Sequence, residues 1–340
     1  MRGPASVVVV AALVTAGCGD AQPVKHGRSG HTLLAAAAPV KAASAAPPAQ
    51  ALVTDETQNR LLLVDLPSGH IARQQTLPPD PEDIATDPYG GLVIVVSSRA
   101  GKVTVLARDT LRPLKTFGGF DEPHIVAISP DGQHAYVSDD ALGTVTAIRL
   151  SDLRITGTVR VGAGAHHMTF SPDQQRVWVA LGESATRVAI LDTSDVEHPR
   201  LIGYFTPGFP VHDLSFSPDG RQVWLTSAGG QDVTSVDSGD RKALFRVAVG
   251  APPQHISFAG RFAYLTSGYG ATIERADATT GRVVARASSP YGSFELAAAD
   301  GFVVTSSLLR GTLAIYRPDL EPIRVVKVAP ATREVAISRP

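Results

Sequence analysis

Three histidines, His124, His166 and His212, recur 42 and 46 residues apart, each six residues before the proline of a Ser-Pro-Asp motif. The same phase places Glu82 before them and Gln254 after them, and then Phe294 and Arg333. Neutral imidazoles brought together from three sides are ligands for a divalent metal, Zn²⁺ or Cu²⁺, with a coordination position left open. Glu82 and Gln254, on the flanking repeats, are placed to orient those rings. The candidate binding residues are therefore Glu82, His124, His166, His212 and Gln254, with His124, His166 and His212 as the candidate metal ligands. One residue further on runs a second column of Asp83, Ile125, His167, Asp213, His255, Glu295 and Glu334. Five of the seven histidines between residues 81 and 340 fall in these two columns, more than random placement supplies. Duplication of a repeat also produces such a pattern, and a histidine before a strand can simply bond a neighbouring loop.

The elements that must position these residues follow from the repeat. Ile128-Ser129-Pro130-Asp131-Gly132 returns as Phe170-Ser171-Pro172-Asp173-Gln174 and as Phe216-Ser217-Pro218-Asp219-Gly220, with a weaker copy at Thr86-Asp87-Pro88-Tyr89-Gly90. Each copy is a tight turn after one apolar run. Three more runs follow, such as Ala135-Tyr136-Val137-Ser138, Val145-Thr146-Ala147-Ile148 and Thr156-Gly157-Thr158-Val159. Alternating runs, four per repeat of about 40 residues, predict blades of an all-β propeller, each a four-stranded antiparallel sheet. Glu334 to Ser338 reads as a first strand without successors, and residues 51–79 read as the three strands it lacks. Pairing the two ends in one blade closes the ring, and 51–340 then holds seven blades of about 41 residues. First strands line the channel of a propeller, so the histidine column marks one mouth of it. Neighbouring residues of a strand point to opposite faces, so only one of the two columns is expected to face the axis. Trp178 and Trp224, at equivalent second-strand positions, are expected to pack between blades. Asp139-Asp140 and Asp219 read as turn residues chosen for backbone bonding.

Tyr136-Val137-Ser138-Asp139 stands where propellers of the YVTN-repeat (YncE-like) family carry their name-giving tetrapeptide, and Trp178-Val179-Ala180-Leu181, Trp224-Leu225-Thr226-Ser227 and Tyr264-Leu265-Thr266-Ser267 match it more loosely. Pro123 to Gly132 also resembles the first strand and turn of that family. The resemblance spans 51–340 and weakens between 290 and 330, where Ser-Pro-Asp-Gly is missing. It implies a seven-bladed fold and export, and leaves the ligand open, because propellers host both binders and enzymes.

The N-terminus reads as an address. Arg2 precedes an apolar stretch at Val7 to Val14, too short to span a bilayer, and the small residues Thr15-Ala16-Gly17 lead to Cys18. Val14-Thr15-Ala16-Gly17-Cys18 resembles a bacterial lipobox, with Thr15 where Leu is usual. Residues 1–18 are thus expected to be a lipoprotein-type signal ending at a lipidated Cys18, with 19–50 an Ala/Pro-rich tether carrying His26 and His31. The expected location is extracytoplasmic, on a membrane through the lipid anchor alone.

Composition narrows the remaining classes. Hydrophobic residues are 44% and charged ones 19%, which suits a packed core. A net charge of −1 provides no basic surplus for nucleic acid. A single cysteine excludes an internal disulfide framework and any multi-thiolate site. No nucleophile elbow, paired-histidine metalloprotease motif, phosphate-binding loop or dinucleotide fingerprint is present. Two classes remain. One is a monomeric binding scaffold for a protein, glycan or small ligand. The other is an enzyme at the channel mouth, either a metal-dependent redox protein or a lactonase-like hydrolase using Arg333 and Glu334.

Overall fold

The computed structural model describes residues 49–338 apart from Gly90, so Cys18, the signal segment and most of the tether lie outside the described residues. The described residues form 28 strands in seven four-stranded antiparallel sheets, with no helix among them. Blade 1 is built from both ends, in the order Thr332–Ser338, Gln50–Asp55, Arg60–Asp65, His70–Thr76. Ala51, Leu52 and Val53 face Ile337, Ala336 and Val335 across this closure. Blades 2 to 7 begin with the strands Pro81–Thr86, Pro123–Ile128, Ala165–Phe170, Val211–Phe216, Ile256–Ala259 and Ser293–Ala299. These first strands touch one another around the ring, as expected of the channel wall.

The Ser-Pro-Asp turns explain why each first strand stops where it does. Ser129 Oγ donates to Asp131 Oδ1 and accepts the His134 N–H, while Asp131 Oδ1 accepts the Gln133 N–H. Gly132 and Gly220 sit at φ of 69° and 71°, a region that suits glycine. Gln174 takes the same place at 61° without that freedom, and its side-chain oxygen accepts the Asp131 N–H of the preceding blade. The second strands are almost wholly buried and the fourth strands largely exposed, so the core lies between blades near the channel. Trp178 packs with Val211, Phe216 and Val223 of the next blade, and Trp224 with Ile256 and Ala263 of the one after. Both tryptophans are interblade packing, as their positions predicted.

Candidate metal centre at the channel mouth

Two columns reach the mouth where one was expected, and the reason is a repeated bulge. Pairing between first and second strands slips between Pro123 and Val126, between Ala165 and Met168, and between Val211 and Leu214. Blades 2 and 7 slip likewise between Pro81 and Asp83 and between Ser293 and Glu295. A bulge sets an extra residue against one partner and re-aims its side chain, so the strict alternation of faces fails there. In blade 6 the strand begins only at Ile256, and Gln254 and His255 bond to Thr266 ahead of it. Glu82, His124, His166, His212 and Gln254 therefore share one cavity with Asp83, His167, His255, Glu295, Arg333 and Glu334, of about 460 Å³.

The imidazoles occupy one side of this cavity. His124 and His166 stack with ring centroids 3.7 Å apart and planes at 13°. His124 Nδ1 lies 3.3 Å from Glu82 Oε2, and His166 Nδ1 lies 2.7 Å from Asp140 Oδ2. His212 Nδ1 is 3.2 Å from the Glu183 carbonyl. A carboxylate or carbonyl oxygen only accepts, so these Nδ1 atoms carry a proton, and in the neutral ring Nε2 keeps its lone pair. His167, 6% exposed, stands between the others, with ring centroids 4.6 Å from His166, 4.8 Å from His212 and 4.9 Å from His255. Its Nδ1 is buried with no hydrogen-bond partner. His255 is gripped at both nitrogens, 3.7 Å from Asp213 and 2.9 Å from Glu295.

Two groups of three emerge in which the nitrogens lie within 4.8 Å of one another, His124 with His166 and His167, and His167 with His212 and His255. The column trio His124, His166 and His212 does not itself form one such group; His212 joins the second group, beside His167 and His255. Of the flanking residues, Glu82 does hold His124, and it also pairs with Arg333 at 2.7 Å. Gln254 makes no hydrogen bond to a histidine among the described residues; its Oε1 accepts the Gly268 N–H at 2.7 Å. Asp140, which reads in sequence as a turn residue, is the partner of His166. The second column was visible in sequence as the pair His166-His167, but its direction was not.

Burial and neighbouring charge divide the titrating groups. Burial, helped by the surrounding histidines, pushes His167 well below the ordinary histidine range, and it brings His212 to about 4 with His255 reinforcing it. Burial opposes the charged form of His124 and His255 too, yet Glu82 for the first and Glu295 with Asp213 for the second raise both above the usual value. Among the carboxylates burial raises Asp83 to about 7, against the Val126 N–H that it accepts, and Asp213, beside His255, to about 6. Burial together with Glu295 and Asp83 lifts Glu334 well above the carboxylate range, whereas His255 holds Glu295 below it against the effect of burial.

These shifts make a prediction about the metal-free protein. Unfolded histidine titrates near 6.5. Below that value the unfolded chain binds protons that folded His167 and His212 refuse, so stability present above pH 6.5 is lost as pH falls towards 4. His124 and His255 act with the opposite sign, contributing below 6.5 and losing that contribution as pH rises through their folded values. Thermal unfolding of metal-free His212→Asn should show a smaller loss between pH 6.5 and 4 than the unaltered chain. An unchanged loss would remove His212 as its source.

No family model and no curated protein matches this chain. Among solved structures, a protein of unknown function from Desulfotomaculum acetoxidans superposes with a TM-score of 0.74 at 17% identity, covering 86% of this chain and 99% of that one. Apo AztD from Citrobacter koseri gives 0.68 at 11% identity, covering 87% and 99%. Hydrazine synthase from Kuenenia stuttgartiensis gives 0.66 at 15%, covering 79% and 92%. At these identities the likeness is one of fold. The chain is a seven-bladed β-propeller whose channel mouth gathers five histidines.

Proposed function

We propose that this propeller is a binding protein for a divalent transition-metal ion, Zn²⁺ or Cu²⁺, held at the channel mouth. The observation that carries this reading is the pair of three-histidine groups sharing His167, whose buried Nδ1 has no partner within the protein. An orphaned buried nitrogen costs roughly 1–3 kcal/mol, and an ion is the partner that His167 and its neighbouring imidazoles suit, with His124 and His255 giving up to it the protons that Glu82, Glu295 and Asp213 favour. Glu82 and Asp140 support it by fixing the tautomer and direction of His124 and His166, as carboxylates behind metal-bound histidines do. Arg333 lies 2.7 Å from Glu82, which favours that structural partnership over a role on a sugar acid. The full chain carrying His26→Ala and His31→Ala should bind one of these ions far below millimolar in a calorimetric titration. Millimolar affinity would overturn the metal site and leave a scaffold for other ligands.

We further infer that the propeller belongs with the YVTN-repeat proteins, on Tyr136-Val137-Ser138-Asp139, and that the chain is exported and anchored through Cys18, on Val14-Thr15-Ala16-Gly17-Cys18. Cys18→Ala should release the protein from membranes or leave it unprocessed. Normal processing with unchanged membrane retention, read by fractionation, would count against the anchor.

A further inference from the structure

A metal ion does not need an apolar wall. On the side of blades 6 and 7 the cavity is lined by Tyr269, Phe294 and Leu308. Tyr269 is 65% exposed although its ring centroid lies 5.0 Å from that of Phe294 and 6.2 Å from that of Tyr291. Leu309, beside Leu308, is 51% exposed. Tyr291, in ring contact with Tyr269, extends this apolar surface beyond the cavity lining.

The wall is built rather than incidental. Gln254 holds the Gly268 N–H, and a Cβ on Gly268 would come within 2.3 Å of the Phe294 ring. Gly292 donates its N–H to the Gly268 carbonyl at 3.0 Å, and Leu308 donates to the Gly292 carbonyl at 2.9 Å. Ser307 Oγ donates to the Tyr291 carbonyl at 2.8 Å. Three loop segments from two blades are thus bonded into one surface, and little ordering remains to be done on binding. Volume argues the same way. An ion with six waters takes about 180 Å³ at roughly 30 Å³ per water. The cavity of about 460 Å³ is instead within the range of small-molecule sites, which is roughly 300–1,000 Å³.

We propose that the mouth binds, together with its ion, a small organic ligand with a chelating oxygen- or nitrogen-donor head and a flat apolar body lying against Tyr269 and Phe294. This rests on the metal reading for the head of the ligand and on the aromatic wall for its body. Two probes separate these parts, benzohydroxamate and acetohydroxamate, which share one chelating head and differ in the phenyl ring. Zinc affinity of the full chain is measured first, and then each probe is titrated into the zinc-loaded protein. Benzohydroxamate should bind at least about tenfold tighter, a gap in keeping with burial of one ring against aromatic partners. Tyr269→Ala and Phe294→Ala should each shrink that gap while zinc affinity stays within about twofold of the unaltered chain. Equal binding of the two probes, or a preference indifferent to both substitutions, overturns the proposal. If zinc itself fails to bind, the metal reading has failed and the proposed pairing of ion and ligand falls with it. The same probes on the metal-free chain then show whether the aromatic wall acts alone.

Discussion

Replacing His167 lowers affinity for Zn²⁺ or Cu²⁺ by about 100-fold or more, further than any other single change at the mouth. His167 is the imidazole common to both three-histidine groups, so its loss dismantles each of them, whereas His124→Ala or His212→Ala leaves one intact. Asp140→Asn, which only loosens the hold on His166, should cost about tenfold. The discriminating variant is His167→Leu. A buried histidine kept for packing would destabilise the fold when lost. One kept for a ligand leaves an unpartnered nitrogen in the metal-free protein, and an apolar side chain of similar size relieves it. Metal-free His167→Leu should therefore unfold at the same temperature as the unaltered chain or a higher one, while its metal titration goes flat. His134→Ala and His198→Ala, away from the mouth, serve as controls and should bind normally. Affinity should fall as pH drops towards 4, where His212 takes up its proton, because the ligating nitrogen must be free of it. His124, raised by Glu82, makes the proton compete from a higher pH still. Retained affinity in His167→Leu would reject the site.

Ending the chain at Ala331 should have an effect of comparable size on stability. The cut removes Thr332–Ser338, the innermost strand of blade 1, and with it Val335 and Ile337 from the core that they share with Val53, Val304 and Ile315. Burial of two such side chains contributes about 1.5–3 kcal/mol each. The Gln50–Asp55 strand is left as an unpaired edge, and the first strands of blades 2 and 7 lose their neighbour. A fall in melting temperature of about 10 °C or more is expected, with aggregation through the new edge. A peptide spanning 332–340 added in excess should recover part of the loss, because the groove it left is the complement of that strand. A truncated chain that melts with the full-length one would mean that the closure carries little of the stability.

Arg333 leaves with that strand, so the truncated protein also reports on the mouth. Glu82 loses its 2.7 Å cation and keeps His124, and the metal site should weaken less than the fold does. A loss of affinity at temperatures where the truncated chain is still folded would show that Arg333 positions Glu82 for its histidine.

Strand periodicity, turn chemistry and repeat length are local properties, and each was legible in residues within a few positions of one another. Ser-Pro-Asp-Gly ends one strand and starts the next by bonds that span five residues, so the blades could be counted without tertiary information. Even the ring closure was readable, because a lone first strand at one end and three strands at the other have one economical solution. The phase of His124, His166 and His212 survived for the same reason, since repetition preserves register. What sequence left open was direction. Whether a residue faces the channel depends on how two strands count against each other, and the bulge at Ala165–Met168 puts His166 and His167 into the same cavity against the rule of alternation. The partners of the rings were equally hidden. Asp140 meets His166, Glu82 meets both His124 and Arg333, and Gln254 meets Gly268, because the ring curves separate blades towards one axis. Local hydrogen bonding could therefore announce seven blades and a histidine column, while only the closed ring decided which nitrogens meet.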